Sequence, residues 1–224
     1  MSFIALRNGV GFCDYHHRML VLDVNRDRYF ELTPHLAQAV RNWADGIPIE
    51  SSAMKGLTNT GLFASVDQPP SISKNETPPI RHCIVGDEGP RPTTIKFLLE
   101  YTAAVFWLLF FHWAIKRFAL RTLLNVANTP ARSTVLQTVK HPRRMMKSVA
   151  AFYRATLLFP RASRCLPDAL ALQRFITSRG VCSKIIFGVQ TNPFQAHCWI
   201  QHDDVVLCQS VETVTGFRVI LVMQ

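Results

Sequence analysis

The sequence predicts an α+β chain built from two units, and three observations predict it. The first 65 residues open on alternating β-type segments and close on helical periodicity. Residues 66–95 hold six prolines among Ser, Asn, Gly and Thr, and the last sixty residues give one helix followed by four short strand-like segments. With 224 residues, 48% of them hydrophobic, the chain has enough apolar material to bury a core.

In the first unit, residues 1–65, segments 12–24 and 28–32 read as two strands around a turn at Asn25, Arg26 and Asp27, because Leu20, Leu22 and Val24 alternate with Val21 and Asp23. Thr33 and Pro34 supply an N-cap and a first-turn proline for a helix over 34–45, where Leu36, Val40 and Trp43 recur at helical spacing before Gly46. A second short helix is expected over 51–58. The proline-rich interval 66–95 reads as a linker, and the second unit spans 96–224. That unit starts with the most apolar run of the chain, residues 97–115, which is nearly long enough to cross a bilayer. Glu100 and His112 lie inside the run and no second hydrophobic span accompanies it, so a core helix, buried or leaning on a membrane, is the preferred reading. Residues 133–158 continue with a helical pattern broken at Pro142, where His141, Arg143, Arg144 and Lys147 cluster.

Charge is distributed unevenly. No acidic residue lies between Glu100 and Asp168, whereas eleven Lys and Arg do, so the formal net charge of +10 belongs to this middle segment. Such a block either attracts an anionic partner or forms the solvated face of two helices. No helix-turn-helix or aromatic-plus-glycine RNA-binding signature goes with it, so nucleic acid is not an expected partner, and membrane association is the less favoured reading. The six cysteines make no C-x-x-C pair, and no charged n-region with an apolar core and cleavage site opens the chain. Neither a zinc module, nor any other metal site, nor a secreted disulfide framework is indicated; a cytoplasmic location is expected, where a free thiol remains a nucleophile.

The chemistry concentrates near the C-terminus. Cys165 opens the stretch C-L-P-D-A-L-A-L-Q-R-F, with Ser163 as N-cap, Pro167 tolerated in the first turn, Asp168 at the positive end of the helix dipole, and Gly180 closing the helix. The amides of that first turn and the flanking Arg164 favour a thiolate, and the amides are placed to donate to an oxyanion. Thirty-two residues after Cys165, His197 sits at the centre of P-F-Q-A-H-C-W-I. Segments 183–190, 196–202, 205–210 and 218–224 read as successive antiparallel strands. If a three-residue turn is centred on Asp203, His197 lies opposite Gln209, which is thereby nominated to orient the imidazole. Taken singly, a cysteine at a helix start or a histidine on a strand is more often structural; the joint placement of Cys165 and His197 is what points to nucleophilic catalysis. Cys182, Cys198 and Cys208 are assigned to packing, and His202, Asp203 and Asp204 to a solvated turn.

C-L-P-D-A-L-A-L-Q-R-F, followed by S-K-I-I-F-G-V-Q-T-N-P-F-Q-A-H-C-W-I, resembles the B proteins of lasso-peptide biosynthesis, closely over residues 163–210. The N-terminal segment L-V-L-D-V-N-R-D-R-Y-F-E-L is similar to the leader-recognition domain that these proteins share with a small winged-helix chaperone. The resemblance implies a small winged-helix-like leader-recognition domain over 1–65 and, over 96–224, a transglutaminase/papain-like cysteine protease domain with an antiparallel sheet. The implied activity is removal of the leader from a ribosomally made precursor peptide, which then passes to an asparagine-synthetase-like cyclase. The chemistry itself requires no cofactor, and any ATP dependence enters through that partner. The family's Cys and His carry over to Cys165 and His197. Its third member, an Asp, falls on Gln209; an amide oxygen can fix the imidazole tautomer but brings no negative charge, and Asp204 is the fallback, with Asp203 and Glu212 as further substitutes. The implied peptide-binding residues are the edge Arg28, Tyr29, Phe30, Glu31 and Leu32, with Met54 on the neighbouring helix. A leader-binding scaffold without catalysis and a transglutaminase-type acyl transferase are the alternative functions.

Overall fold

The computed structural model describes residues 3–68, 77, 79–86, 95–129, 142–159 and 164–223. In the N-terminal part, β1 (Phe3–Leu6) pairs with β5 (Phe63–Val66), and β2 (Val10–Tyr15), β3 (Arg18–Asp23) and β4 (Arg28–Glu31) form a three-stranded antiparallel sheet with β4 at its edge. The segment 12–24, expected as one strand, is therefore two. His16 and His17 take φ of 48° and 66°, the left-handed pair that a two-residue hairpin turn requires. The helices α1 (Pro34–Ala44) and α2 (Ser51–Asn59) fall where periodicity placed them, although Thr33 makes no side-chain cap.

The central sheet has five strands in the order β10-β7-β8-β9-β6, namely β6 (His82–Ile84), β7 (Lys184–Gln190), β8 (Gln195–His202), β9 (Val205–Leu207) and β10 (Arg218–Met223). All pairings are antiparallel except β6 with β9. The proline-rich interval was expected to hold no regular element, yet it supplies β6: the short run H-C-I lies between its prolines and adds a parallel edge strand. A short helix, α7 (Val211–Thr215), follows β9, whose strand ends at Leu207 and not at 210.

Four helices flank this sheet: α3 (Ile95–Ala114), α4 (Leu120–Asn128), α5 (Pro142–Thr156) and α6 (Cys165–Thr177). Residues 133–141 and Ser163 lie outside the described residues; Arg164 is the residue at the N-cap of α6. α6 is the buried centre, with Leu170, Ala171, Phe175 and Ile176 closed to solvent, and α3 packs on it through Ala104, Leu108, Phe111 and Ala114. Tyr101, Ala103, Val105, Trp107 and Phe110 are half-buried at the margins of that contact, and one stripe of α3 is left exposed.

The N-terminal sheet is used on both sides. Met19, Val21 and Phe12 pack with α1 and α2, while Cys13, Leu20, Leu22 and Val24 join the core of the C-terminal part beside Ile220 and Leu221 of β10. At that junction Gly11 lies so close to β10 that a Cβ there would stand 2.2 Å from the Ile220 carbonyl oxygen. The two parts therefore share one core.

Candidate active site

Cys165 is the first residue of α6, at the one end of that helix where backbone N–H groups lack intrahelical acceptors. Pro167 contributes no N–H and that of Asp168 is taken by the Arg164 carbonyl at 3.1 Å, so the amides of Cys165 and Leu166 are the first-turn donors that an oxyanion can use. His197 lies on β8, opposite Gly188 of β7. Its ring stands 5.0 Å from that of Phe217 and 6.2 Å from that of Trp199, two residues on along the same strand face, and these aromatic walls fix its plane. His197 Nε2 donates to Gln209 Oε1 at 2.7 Å. Because an amide oxygen only accepts, Nε2 carries the proton and Nδ1 is the nitrogen that serves the Cys165 thiol.

Gln209 reaches the imidazole by a route the sequence did not predict. The β8–β9 turn has two residues, Asp203 and Asp204, and the ladder pairs Ile200 with Leu207. Continued regularly, this register would place Gln209 opposite Cys198, with its side chain on the face away from His197. Cys208 breaks the ladder with φ of 61°, turning Gln209 back towards His197, while Gln209 Nε2 donates to the Cys198 carbonyl at 3.5 Å. Asp203 and Asp204 sit at the far end of β8, roughly 17 Å along the strand from His197. Glu212 is exposed on α7.

Cys198, assigned to packing from the sequence, is buried, yet its thiol donates to the Cys165 sulfur. That bond and His197 together outweigh burial and bring Cys165 down to about 4. Cys198 itself is pushed well up, by the Cys165 thiolate first and by burial second. Burial pulls His197 down, but its bonds to Cys165 and Gln209 win, leaving it above its ordinary 6.5. The outcome is a thiolate beside an imidazolium. Arg164, expected to favour the thiolate directly, turns elsewhere: it donates to Asp168 at 2.8 Å and to His112 Nε2 at 2.9 Å, over the Phe159 ring. His112 in turn donates from Nδ1 to the Leu108 carbonyl, tying the start of α6 to α3. No sequence signal marks Cys198 or this cluster, whereas the two-residue strand period from His197 does reach Trp199.

A cavity of about 450 Å³ opens beside the thiol, lined by Tyr153, Asp168, Leu172 and Leu207 together with Cys165, His197 and Gln209. The N-terminal part reaches the same place. The Tyr29 ring meets Phe194 edge-on at 5.6 Å, and its phenol is pushed up by burial and then by the neighbouring Cys198 and Cys165 sulfurs. Of the other expected peptide-binding residues, Arg28 and Glu31 are exposed, Glu31 pairing with Arg18 at 2.6 Å, and Phe30, Leu32 and Met54 belong to the cluster beneath α1 and α2. Among the described residues no group of three or more His, Cys, Asp or Glu side chains is placed to hold a metal ion.

No curated protein and no solved structure matches the chain. A family model described as the transglutaminase-like superfamily matches residues 105–222, more than half of the sequence, including α6 and the strands β7, β8 and β9 of the sheet that carries His197. The chain belongs to the transglutaminase-like superfamily.

Proposed function

We propose that this protein is a cysteine peptidase that removes the leader from a lasso-peptide precursor ahead of cyclisation by an asparagine-synthetase-like partner. The observation that carries the peptidase reading is the polarised pair: Cys165 held at about 4 beside a His197 whose Nε2 is anchored on Gln209 at 2.7 Å. The leader-peptidase reading is supported by the resemblance of residues 163–210 and of the N-terminal hairpin to the lasso B proteins, in which a winged-helix-like unit reads the leader.

The Cys165 thiolate attacks the carbonyl carbon of the leader's last residue, and the oxyanion faces the Cys165 and Leu166 amides. Imidazolium Nδ1–H protonates the departing core amine as the peptide bond breaks, leaving a thioester. Neutral His197 then takes a proton from water as its oxygen adds to the thioester, and collapse of the tetrahedral intermediate expels the Cys165 thiolate beside the newly formed imidazolium, which restores the starting pair, while the leader's new carboxyl group gives its proton to solvent. Gln209 holds the ring throughout and Asp204 takes no part. Leader docking on the β4 edge places the scissile bond, and Tyr29 of β4 packs against the same core as Cys165, within electrostatic reach of the thiol.

Incubation of the protein with a lasso precursor, read by mass spectrometry, tests the proposal. Separate leader and core masses, with water added at the cut, are expected. An intact precursor bound without cleavage would make the protein a scaffold, and an amine adduct at the acyl end would make it an acyl transferase.

A further inference from the structure

We infer that the outward face of α3 is a docking surface for an anionic lipid bilayer, on which the protein lies without spanning it. The inference is independent of the peptidase reading. Along the 20 residues of α3, about 30 Å of helix, Ile95, Leu98, Leu99, Phe106, Leu109 and Trp113 all point to one side and are 53–80% exposed. Single exposed apolar side chains are ordinary, but six on one side of a helix over five turns, with Thr102 alone between the two groups, are not. The opposite face cannot leave the fold: Ala104, Leu108, Phe111 and Ala114 are fully buried, and Glu100 is paired with Arg179 at 2.5 Å. Withdrawing α3 to cross a membrane would open the core around α6, so the helix is confined to lying in the interface plane.

Charge selects the occupant. Exposed cations flank the stripe, with Lys96 at its start and Lys116 and Arg117 beyond its end, and no acidic residue occurs between Glu100 and Asp168. Trp113 meets the half-exposed Phe118 edge-on at 5.7 Å at the cationic end, the aromatic-plus-basic arrangement suited to a headgroup boundary. A second copy of the chain would bring the same cations towards each other. An anionic bilayer offers an apolar interior and negative charge together, and needs no matching groove.

Sedimentation of the full-length protein with phosphatidylcholine vesicles, with and without phosphatidylglycerol, provides the test. Binding to the phosphatidylglycerol vesicles, weakened by salt, is expected. Each basic residue near such a surface contributes roughly fivefold, so Lys116→Gln with Arg117→Gln should weaken it by about thirtyfold, and Phe106→Ser with Leu109→Ser should abolish it. These side chains point to solvent, so circular dichroism should be unchanged. Absence of binding to the anionic vesicles, or equal binding to both kinds, overturns the inference. So does a dimer in light scattering that Phe106→Ser with Leu109→Ser dissociates, since the stripe would then be covered by a second copy.

Discussion

His197 is constrained on three sides, by the Phe217 and Trp199 rings and by the Gln209 oxygen, so its reacting nitrogen has one direction in which to work. Cys165→Ala and His197→Ala should each lower leader cleavage on the order of 10⁴-fold, because a nucleophile and its base act as one unit; cleavage by the Cys165 variant near the wild-type rate would refute the assignment. Thiolate forms as pH rises through about 4, and imidazolium is lost as pH rises through a value above 6.5, so kcat/KM should be bell-shaped between those limits. Gln209→Ala removes one bond that raises His197 and should move the alkaline limb down while slowing cleavage roughly tenfold, about the worth of one hydrogen bond. Gln209→Asp should move that limb up, since a carboxylate stabilises the imidazolium; a limb that ignores both changes would place the third group elsewhere. Helix-start and strand signals sufficed to pair Cys165 with His197. Gln209 was legible only through a register that proved one residue off, because a left-handed residue such as Cys208 leaves no periodic trace. Cys198 was illegible, since a buried cysteine is by default packing.

Among the elements, β4 is the one whose open edge would receive the leader under the proposed function. Leu32 N–H donates to the Met19 carbonyl at 3.0 Å, so by the alternation of an antiparallel ladder Phe30 faces β3, and the N–H groups of Tyr29 and Glu31 face the open edge. Glu31→Pro should therefore lose leader affinity while keeping the β3–β4 pairing, and the lost Arg18 partner is an exposed pair of little worth. Phe30→Pro should instead damage the sheet itself. Titration of labelled leader into each variant, with circular dichroism alongside, separates the two; unchanged affinity in Glu31→Pro would move the peptide off this edge. The helices α1, α2, α3, α5 and α6 are present where the sequence placed them and are described; α7 and the short β1, β5 and β6 gave too few residues to set a period, whereas α4, with Leu120, Leu123, Leu124 and Ala127 at helical spacing, was legible and was missed. α3 was legible as a helix, whereas its bare face was not, because an all-round apolar helix does not announce which side is covered.

At the scale of the whole molecule, the N-terminal sheet packs against β10, so under the proposed function this junction would couple the leader-binding edge to the thiol. Cys13, Leu20, Leu22 and Val24 close the same core as α6, so a fragment ending near residue 65 would expose them, and the coupling is best examined in the full chain. Gly11 is the sensitive point. A methyl there would meet backbone, the Ile220 oxygen at 2.2 Å, and the Leu221 Cβ at 2.8 Å, neither of which can swing aside as a flexible side chain would. Gly11→Ala should cost about 3 kcal/mol, the range of overpacking, and lower the melting temperature by roughly 10 °C in a chain of this size. If β2 yields to this clash while β10 holds its place in the sheet of β7 and β8, the docking edge of the proposed function shifts relative to the thiol, and KM for the full precursor should then rise more than kcat falls. Gly216→Ala is the control, since its nearest neighbour, Gln190 Oε1, lies at an ordinary 3.7 Å. Calorimetry and steady-state cleavage by the two variants decide the matter. Wild-type melting in Gly11→Ala would mean that the junction yields freely, and a loss confined to kcat would mean that the N-terminal sheet supports the catalytic elements without placing the peptide.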